Sequence, residues 1–301
     1  MSWYKNNKQE WKQIIETVSS ETKRFNQMIE KDIIQSMFLY ELSKEEIPFV
    51  FKGGTSLSKA YKLIDRFSED IDLSINREIT QSERKKTKKI IIDIGKSLGM
   101  NLTNEDNVYS NHDYNKYVFE YESLFAEIPL QIVIETSYYL TAFPCENLTI
   151  HNYVTDFCND NNIRLPLKFE SGLFKMNVQS LERTLIDKVF AVCDYYIQNM
   201  QERDSRHLYD IAKLLTIVKL DDSLKPLIQR VRSDRLKLKN NPSAQPQYDI
   251  NELLNRIIIS RFYEYDYKNI TTKLLYENVT YDDAIEKGIK TIADSKLFSM
   301  K

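Results

Sequence analysis

The sequence predicts an α+β fold in two parts, with strands and helices mixed up to residue 178 and helices alone over residues 179–301. Two observations support this division. Short runs of alternating apolar and polar residues, typical of half-buried strands, occur before residue 178. After that point apolar residues recur every three or four positions, as they do along one face of a helix. A chain of 301 residues has room for one large domain or two medium ones.

The first part is predicted to open with two helices within residues 8–42, separated at Ser19 or Ser20. Pro48 ends that helical run. Thr80 followed by Glu83 three residues later is typical of the first turn of a helix. The elements expected after Pro48 are a strand at 49–52, a helix at 55–64, a strand at 70–75, a helix at 80–98 and strands at 116–121, 129–137, 148–154 and 174–178.

The second part contains two clear helical stripes and one long loop. The stripes consist of Leu181, Leu185, Val189 and Val192, and of Leu208, Ile211, Ala212 and Leu215. The predicted loop spans residues 239–247 and contains Pro242 and Pro246. No internal repeat or low-complexity tail interrupts the pattern.

The composition is that of an ordinary globular protein, with 42% apolar and 29% charged residues and a formal net charge of −2. A near-neutral chain does not indicate general nucleic-acid binding, so any basic surface must be local. The three cysteines lack metal-site spacing, and neither a signal peptide nor an apolar run of membrane-spanning length is visible. These features predict a cytoplasmic protein with reduced thiols.

Residues 51–75 carry the strongest chemical signal. Gly53 and Gly54, two of only six glycines, follow a short apolar strand, and Asp70 and Asp72 lie two residues apart on the next predicted strand. Because side chains alternate along a strand, both carboxylates point to one face, roughly 7 Å apart along the backbone. Such a pair can hold one or two Mg²⁺ ions. A glycine turn leading into a helix can present backbone N–H groups to phosphate.

Asp70 and Asp72, and the charged residues of two later helices, also have purely structural interpretations. Asp70 and Asp72 could be the outward residues of an edge strand, and Lys188 could be an ordinary surface lysine. Arg203, Arg206 and Asp210 have helical spacing and could form a solvated, salt-bridged face.

The order of these motifs resembles the AbiEii-type nucleotidyltransferases. The segments that carry the resemblance are Gly53-Gly54-Thr55-Ser56-Leu57-Ser58-Lys59, Arg66-Phe67-Ser68-Glu69-Asp70-Ile71-Asp72-Leu73, Glu182-Arg183-Thr184-Leu185-Ile186-Asp187-Lys188 and Arg203-Asp204-Ser205-Arg206-His207-Leu208-Tyr209-Asp210. That family comprises toxins of abortive-infection, or type IV, toxin–antitoxin systems, including MenT-like tRNA-modifying toxins. The resemblance implies a DNA polymerase β-like nucleotidyltransferase domain with a small mixed sheet.

The resemblance also implies roles for individual residues. Asp70, Asp72, Lys188 and Asp210 are expected to be catalytic, with Asp70 and Asp72 binding Mg²⁺ and Asp210 orienting Lys188 or an arginine. Glu135 is expected to add a third carboxylate from a neighbouring strand, as a metal ligand or as the base for the attacking hydroxyl. His207 could cap, pack or react. The expected nucleotide-binding residues are Gly53, Gly54, Thr55, Ser56, Lys59, Ser68 and Lys188, and the expected supporting residues are Glu182, Arg203 and Arg206.

The function implied is transfer of a nucleoside monophosphate from an NTP to a hydroxyl, with the 3′ end of tRNA as the expected acceptor. A separately encoded antitoxin is the expected partner, and direct contact with the toxin is not required. Two alternatives are a protein or small-molecule acceptor, and a protein that binds nucleotide or RNA without turnover. If the acceptor is RNA, Arg230, Arg232, Arg235, Lys237 and Lys239 are a better candidate surface than the basic run at 84–89.

Overall fold

The computed structural model describes residues 7–109, 112–165, 172–202 and 204–299. Its contacts group the chain into two compact units. The first contains the chain up to Tyr61 and Ser68–Gln179, and the second contains Lys62–Phe67 and the chain from Ser180 onward. The domain ranges 1–178 and 179–301 stay predictions. The placement of Lys62–Phe67 with the helical residues was not expected from the sequence.

A mixed sheet forms the centre of the first unit, and its described part has seven strands in the order β3-β4-β5-β2-β1-β7-β6. The strands are β1 (Phe49–Lys52), β2 (Asp70–Ile75), β3 (Asn101–Leu102), β4 (Tyr114–Tyr121), β5 (Leu130–Ser137), β6 (Cys145–Ile150) and β7 (Phe174–Gln179). Strand β2 runs antiparallel to β1 and parallel to β5, while β1 runs parallel to β7. The strand that carries Asp70 and Asp72 is therefore internal, which excludes the edge-strand interpretation.

The two faces of this sheet differ in chemistry. Ile71 and Leu73 of β2 are fully buried, whereas Asp70 and Asp72 on the opposite face are only partly buried. The same alternation along β4 and β5 places Phe119 and Ile134 in the core. One face is thus covered by apolar packing, and the other presents the polar residues.

In the described part of the first unit, the α-helices are α1 (Lys8–Thr22), α2 (Asn26–Leu42), α3 (Gly53–Lys59), α4 (Gln81–Ser97) and α5 (Tyr153–Asp160). Phe38 of α2 contacts Phe119 of the sheet with ring centroids 6.0 Å apart. Gly95 allows α4 to approach the same ring, because a Cβ at that position would lie 2.2 Å from Phe119. These contacts close the core over the apolar face of the sheet.

The second unit is helical. Its described α-helices are α6 (Leu181–Ile197), α7 (Arg206–Leu214), α8 (Lys225–Arg235), α9 (Ile250–Ser260), α10 (Glu264–Asp266), α11 (Thr272–Leu274), α12 (Tyr281–Ala284) and α13 (Thr291–Ser295), with π-helical turns at Tyr267–Thr271 and Ile285–Lys290 and 3₁₀ turns at Asp222–Leu224 and Pro242–Ala244. Tyr263 ties this unit together by donating a hydrogen bond of 2.6 Å to the Val192 carbonyl of α6. At Gly288, a Cβ would lie 3.3 Å from the Ala212 backbone nitrogen of α7.

Several predicted boundaries moved. The first two helices separate at Lys23, which adopts a left-handed conformation, and not at Ser19 or Ser20. Helix α3 ends at Lys59 and does not extend to residue 64, because Lys62 has positive φ. The strand expected at 148–154 lies earlier, and its predicted end belongs to α5. The capping box of Thr80 and Glu83 is confirmed.

Among the described residues, none of the helices combines the length and the apolar character that crossing a bilayer requires.

Candidate active site

Gly53 and the Asp72 carboxylate lie in direct proximity. Gly53 has φ of +77°, a backbone conformation that residues other than glycine rarely adopt. A Cβ at this position would stand 1.9 Å from Asp72 Oδ2. The chain therefore needs glycine here for two reasons, and the glycine turn lies beside the carboxylate of Asp72.

The hydroxyl groups after the glycine turn hold the backbone around it. Thr55 donates to the Asp70 carbonyl, so Ser68 must supply the hydrogen in the 2.8 Å contact between the two hydroxyls. Ser56 donates to the Gly53 carbonyl at 2.9 Å. Thr55 and Ser56 are both buried. These hydroxyls fix the positions of Gly53 and Asp70, and the nucleotide contacts predicted for them stay predictions.

Lys59 is part of a buried ion pair in the first unit. Its ammonium contacts the Asp32 carboxylate and donates to the Ser36 hydroxyl at 2.9 Å. Burial lowers the pKa of Lys59, and the Asp32 charge opposes that shift. Because Asp32 also accepts from the Tyr153 backbone N–H at 2.9 Å, the pair joins α2, α3 and α5. These contacts favour a structural role for Lys59 in anchoring the glycine-turn helix.

Glu135 lies beside Asp72 in the sheet. The two residues are partners in the parallel pairing of β2 with β5, and Lys116 of β4 is the partner of Glu135 on the other side. The Lys116 ammonium is 3.7 Å from the Glu135 carboxylate. Partners in register share a face of the sheet, so Glu135 occupies the neighbouring-strand position that the sequence suggested for a third carboxylate.

Tyr114 is a site residue that the sequence did not indicate. The pKa of the Tyr114 hydroxyl is raised, mainly by burial. The charge of Glu135, the hydrogen bond from Tyr114 to Glu135, and the charges of Asp72 and Asp70 raise it further. The phenol therefore remains protonated and donates to Glu135. The predicted strand began at residue 116, whereas β4 begins at Tyr114. The sequence therefore did not place Tyr114 on the sheet beside Glu135.

The carboxylates of this face match the ligands that Mg²⁺ prefers, although they do not form a complete protein cage. Within the described ranges, no group of three or more His, Cys, Asp or Glu side chains could together hold a metal ion. Magnesium is commonly bound by one or two carboxylates together with substrate phosphates and water. Asp70 and Asp72, which share one face of β2, meet that smaller requirement.

A second cluster of charges lies within the helical unit, around Asp210 of α7. The Asp210 carboxylate is completely buried and accepts from Lys188 Nζ at 2.6 Å. Arg66 donates to both oxygens of the Asp210 carboxylate, from Nε to Oδ1 at 2.7 Å and from a terminal guanidinium nitrogen to Oδ2 at 2.8 Å. Lys188 and Arg66 are also buried. The surface-lysine interpretation of Lys188 is thus excluded, and the arginine that contacts Asp210 is Arg66.

The pKa shifts in this cluster follow from burial and charge. Burial alone would raise the pKa of Asp210, but Arg66 and Lys188 outweigh it and hold that pKa below its usual range. Burial lowers the pKa of Lys188, and Asp210 opposes that shift. Burial and then the Lys188 charge lower the pKa of His207 to about 3, so its ring is neutral at physiological pH.

His207 packs as well as contacting Lys188. Its Nδ1 lies 3.3 Å from Lys188 Nζ, which makes that nitrogen the acceptor when the ring is neutral. The ring stacks with Tyr195, with centroids 6.1 Å apart and planes at 12°. Tyr195 in turn hydrogen-bonds Asp204 through its hydroxyl. Asp204 forms a 3.0 Å ion pair with Arg206.

The remaining supporting residues have simpler surroundings. Glu182 lies in the first turn of α6, where a negative charge favours the helix. Ser180 caps that helix by accepting from the Arg183 backbone N–H at 3.3 Å. Arg203 lies outside the described residues.

The basic run proposed for RNA contact is divided between surface and interior. Arg232 is buried and donates to the carbonyls of Ala244, Gln245 and Tyr248. Arg235 is buried and donates to Asp194 at 2.6 Å. These two arginines hold the loop after α8, so the run does not form one continuous exposed face.

Comparison with known proteins identifies the family. A family model described as the nucleotidyl transferase AbiEii toxin of a type IV toxin–antitoxin system matches residues 37–287. The chain belongs to the AbiEii family. This AbiEii protein is therefore a nucleotidyltransferase and a toxin, with an NTP as substrate and an antitoxin as partner.

Solved structures share the fold of this AbiEii chain at low sequence identity. MenT4, a nucleotidyltransferase toxin from Mycobacterium tuberculosis H37Rv, is 17% identical with a TM-score of 0.54, over 94% of this chain and 89% of that one. A candidate nucleotidyltransferase from H. pylori is 16% identical with a TM-score of 0.50, over 89% of this chain and 93% of that one. Comparison with curated proteins gives no match. The predicted α+β nucleotidyltransferase fold is confirmed.

Proposed function

We propose that this AbiEii protein transfers a nucleoside monophosphate to the 3′ hydroxyl of tRNA in a reaction that requires Mg²⁺. The observation that supports this most strongly is the contact of Gly53 with Asp72. It joins a turn suited to phosphate with two carboxylates on one face of β2. Nucleotide addition at the 3′ end would prevent aminoacylation and so stop translation, which accounts for toxicity.

Asp70 and Asp72 would hold the metal. A Mg²⁺ ion bound there would neutralise negative charge on the oxygens of the triphosphate, including those of the phosphate group under attack. The Gly53–Gly54 backbone approaches the phosphates closely because no side chain intervenes. Thr55, Ser56 and Ser68 keep that backbone and the start of β2 in place through their hydrogen bonds.

The reaction forms a bond between the acceptor oxygen and the α-phosphorus, and the bond to the pyrophosphate leaving group breaks. Glu135, held by Tyr114 and Lys116, is the proposed acceptor of the proton from the attacking hydroxyl. Lys188 is proposed to neutralise charge on the phosphates as pyrophosphate leaves. Asp210 holds the Lys188 ammonium, which fits a positioning role.

The assay for this function supplies Mg²⁺, total tRNA and each of the four NTPs in turn, labelled at the α-phosphate. We expect label in RNA with the wild type, and loss of that label with Asp70→Ala, with Asp72→Ala or with EDTA. Asp93→Ala is the matched control, because Asp93 is an exposed carboxylate of α4. Equal labelling by wild type and Asp70→Ala would refute catalysis at this pair.

The same assay separates the acceptors. Label in a protein band with none in RNA would favour a protein hydroxyl as acceptor. Unchanged NTP together with measurable nucleotide affinity would indicate a binding protein without turnover.

A further inference from the structure

Arg66 and Asp210 form a buried two-point contact between residues that are far apart in sequence. Arg66 Nε donates to Asp210 Oδ1 at 2.7 Å, and its terminal nitrogen donates to Oδ2 at 2.8 Å. The guanidinium also donates to the Phe67 carbonyl at 3.0 Å. Paired hydrogen bonds of this kind fix both the distance and the orientation of a carboxylate, which a single ammonium contact does not.

The backbone around Arg66 is held in the helical unit. Arg66 forms a β-bridge with Leu275, and the Phe67 N–H donates to the Leu274 carbonyl at 2.9 Å. On the other side, Tyr209 accepts from the Asp65 N–H at 2.9 Å. The backbone that carries Arg66 is therefore held in place independently of the ion pair with Asp210.

The charges around Asp210 do not cancel. Two buried cations, Arg66 and Lys188, share a single carboxylate, and His207 beside them is neutral. The next charged pair along the chain is Asp204 with Arg206, 3.0 Å apart. Among the residues that the structure describes, the direct ion pairs of Asp210 thus bring two cations to one carboxylate, and a bound anion would offset the excess positive charge of the protonated cluster.

We infer that Arg66 is a positioning residue of the transfer reaction, fixing Asp210 so that the Lys188 ammonium is held in place to receive a phosphate group. The inference rests on the phosphate role proposed for Lys188. In this arrangement the Asp210 carboxylate is shared between Arg66 and Lys188, so the cluster carries net positive charge when Lys188 is protonated. Arg66 acts through Asp210 and has no substrate contact of its own.

The test measures Arg66→Lys, Lys188→Met and the double variant by kcat/KM for the NTP and by thermal unfolding. Arg235→Lys is the matched control, because it weakens another buried arginine–aspartate pair of the same unit. We expect Arg66→Lys and Arg235→Lys to lower Tm similarly, while only Arg66→Lys lowers kcat/KM, on the order of 100-fold. In the Lys188→Met background, Arg66→Lys should cause little further loss.

Four outcomes would overturn the inference. Wild-type kcat/KM with Arg66→Lys would mean that the two-point contact is not required. Losses that multiply in the double variant would mean that Arg66 acts independently of Lys188. Equal activity losses for Arg66→Lys and Arg235→Lys would make the role of Arg66 purely structural. If Lys188→Met itself were fully active, the proposed role of Lys188 would fail, and the inference with it.

Discussion

Gly53 has no side chain, and the carboxylate of Asp72 occupies the space where one would stand. Replacing Gly53 with alanine would force Asp72 to move and would also strain a backbone of positive φ. We expect Gly53→Ala to lower transfer activity on the order of 100-fold. The measurements are the rate of label transfer to tRNA and the Tm, each for the variant and the wild type.

Gly99→Ala separates strain from displacement of the carboxylate. Gly99 also has positive φ, at +73°, but it follows the end of α4 and belongs neither to the glycine turn nor to strand β2. We expect Gly99→Ala to lower Tm as Gly53→Ala does while keeping wild-type activity. Equal activity losses in the two variants would show that backbone strain alone accounts for the effect.

Single residues differ in how far the sequence reveals them. Gly53, Asp70 and Asp72 stand out because their spacing implies a geometry that the structure confirms. Arg66 lies in the same stretch, yet nothing in the sequence links it to Asp210, which is 144 positions away. Contacts of that range depend on tertiary packing and leave no periodic signal.

At the scale of elements, the strands were predicted well where apolar and polar residues alternate. Strand β5 matches its prediction to within one residue because buried side chains alternate with partly exposed ones along it. Helix ends were predicted less well. Lys23 and Lys62 adopt left-handed conformations without being glycine, so composition gave no warning of the ends of α1 and α3.

Helix α7 carries a histidine that makes the stability of its unit depend on pH. The pKa of His207 is lowered to about 3 by burial and by Lys188, whereas an unfolded histidine titrates near ~6.5. Between these values the unfolded chain binds a proton that the folded chain does not, so stability falls as pH falls below about 6.5. Since the ring is only partly buried, we expect a loss of about 1 kcal/mol by pH 5.

The measurement is urea unfolding of wild type and His207→Gln at pH 7.5 and pH 5.0. The variant lacks the titrating ring, so its stability should change less between the two pH values than that of the wild type. Identical pH dependence in the two proteins would show that His207 does not resist protonation in the folded state.

At the scale of the whole molecule, the family assignment extends well beyond the strands that carry Asp72 and Glu135. The AbiEii match spans residues 37–287, so it includes α6 and α7 of the helical unit as well as the sheet. Four short motifs in the right order were enough to predict this. The base that is transferred and the acceptor that is chosen depend on pocket shape, which no motif encodes.

The most direct test of the central claim follows the two ends of the triphosphate. Wild type and Asp72→Asn are incubated with Mg²⁺, NTPs labelled at the α- or the γ-phosphate, and tRNA whose 3′ end is intact or oxidised by periodate. We predict that only wild type labels tRNA, that only the α-label is retained, and that oxidation of the 3′ end abolishes labelling. Retention of γ-label, or equal labelling by Asp72→Asn, would contradict nucleotidyl transfer at this site.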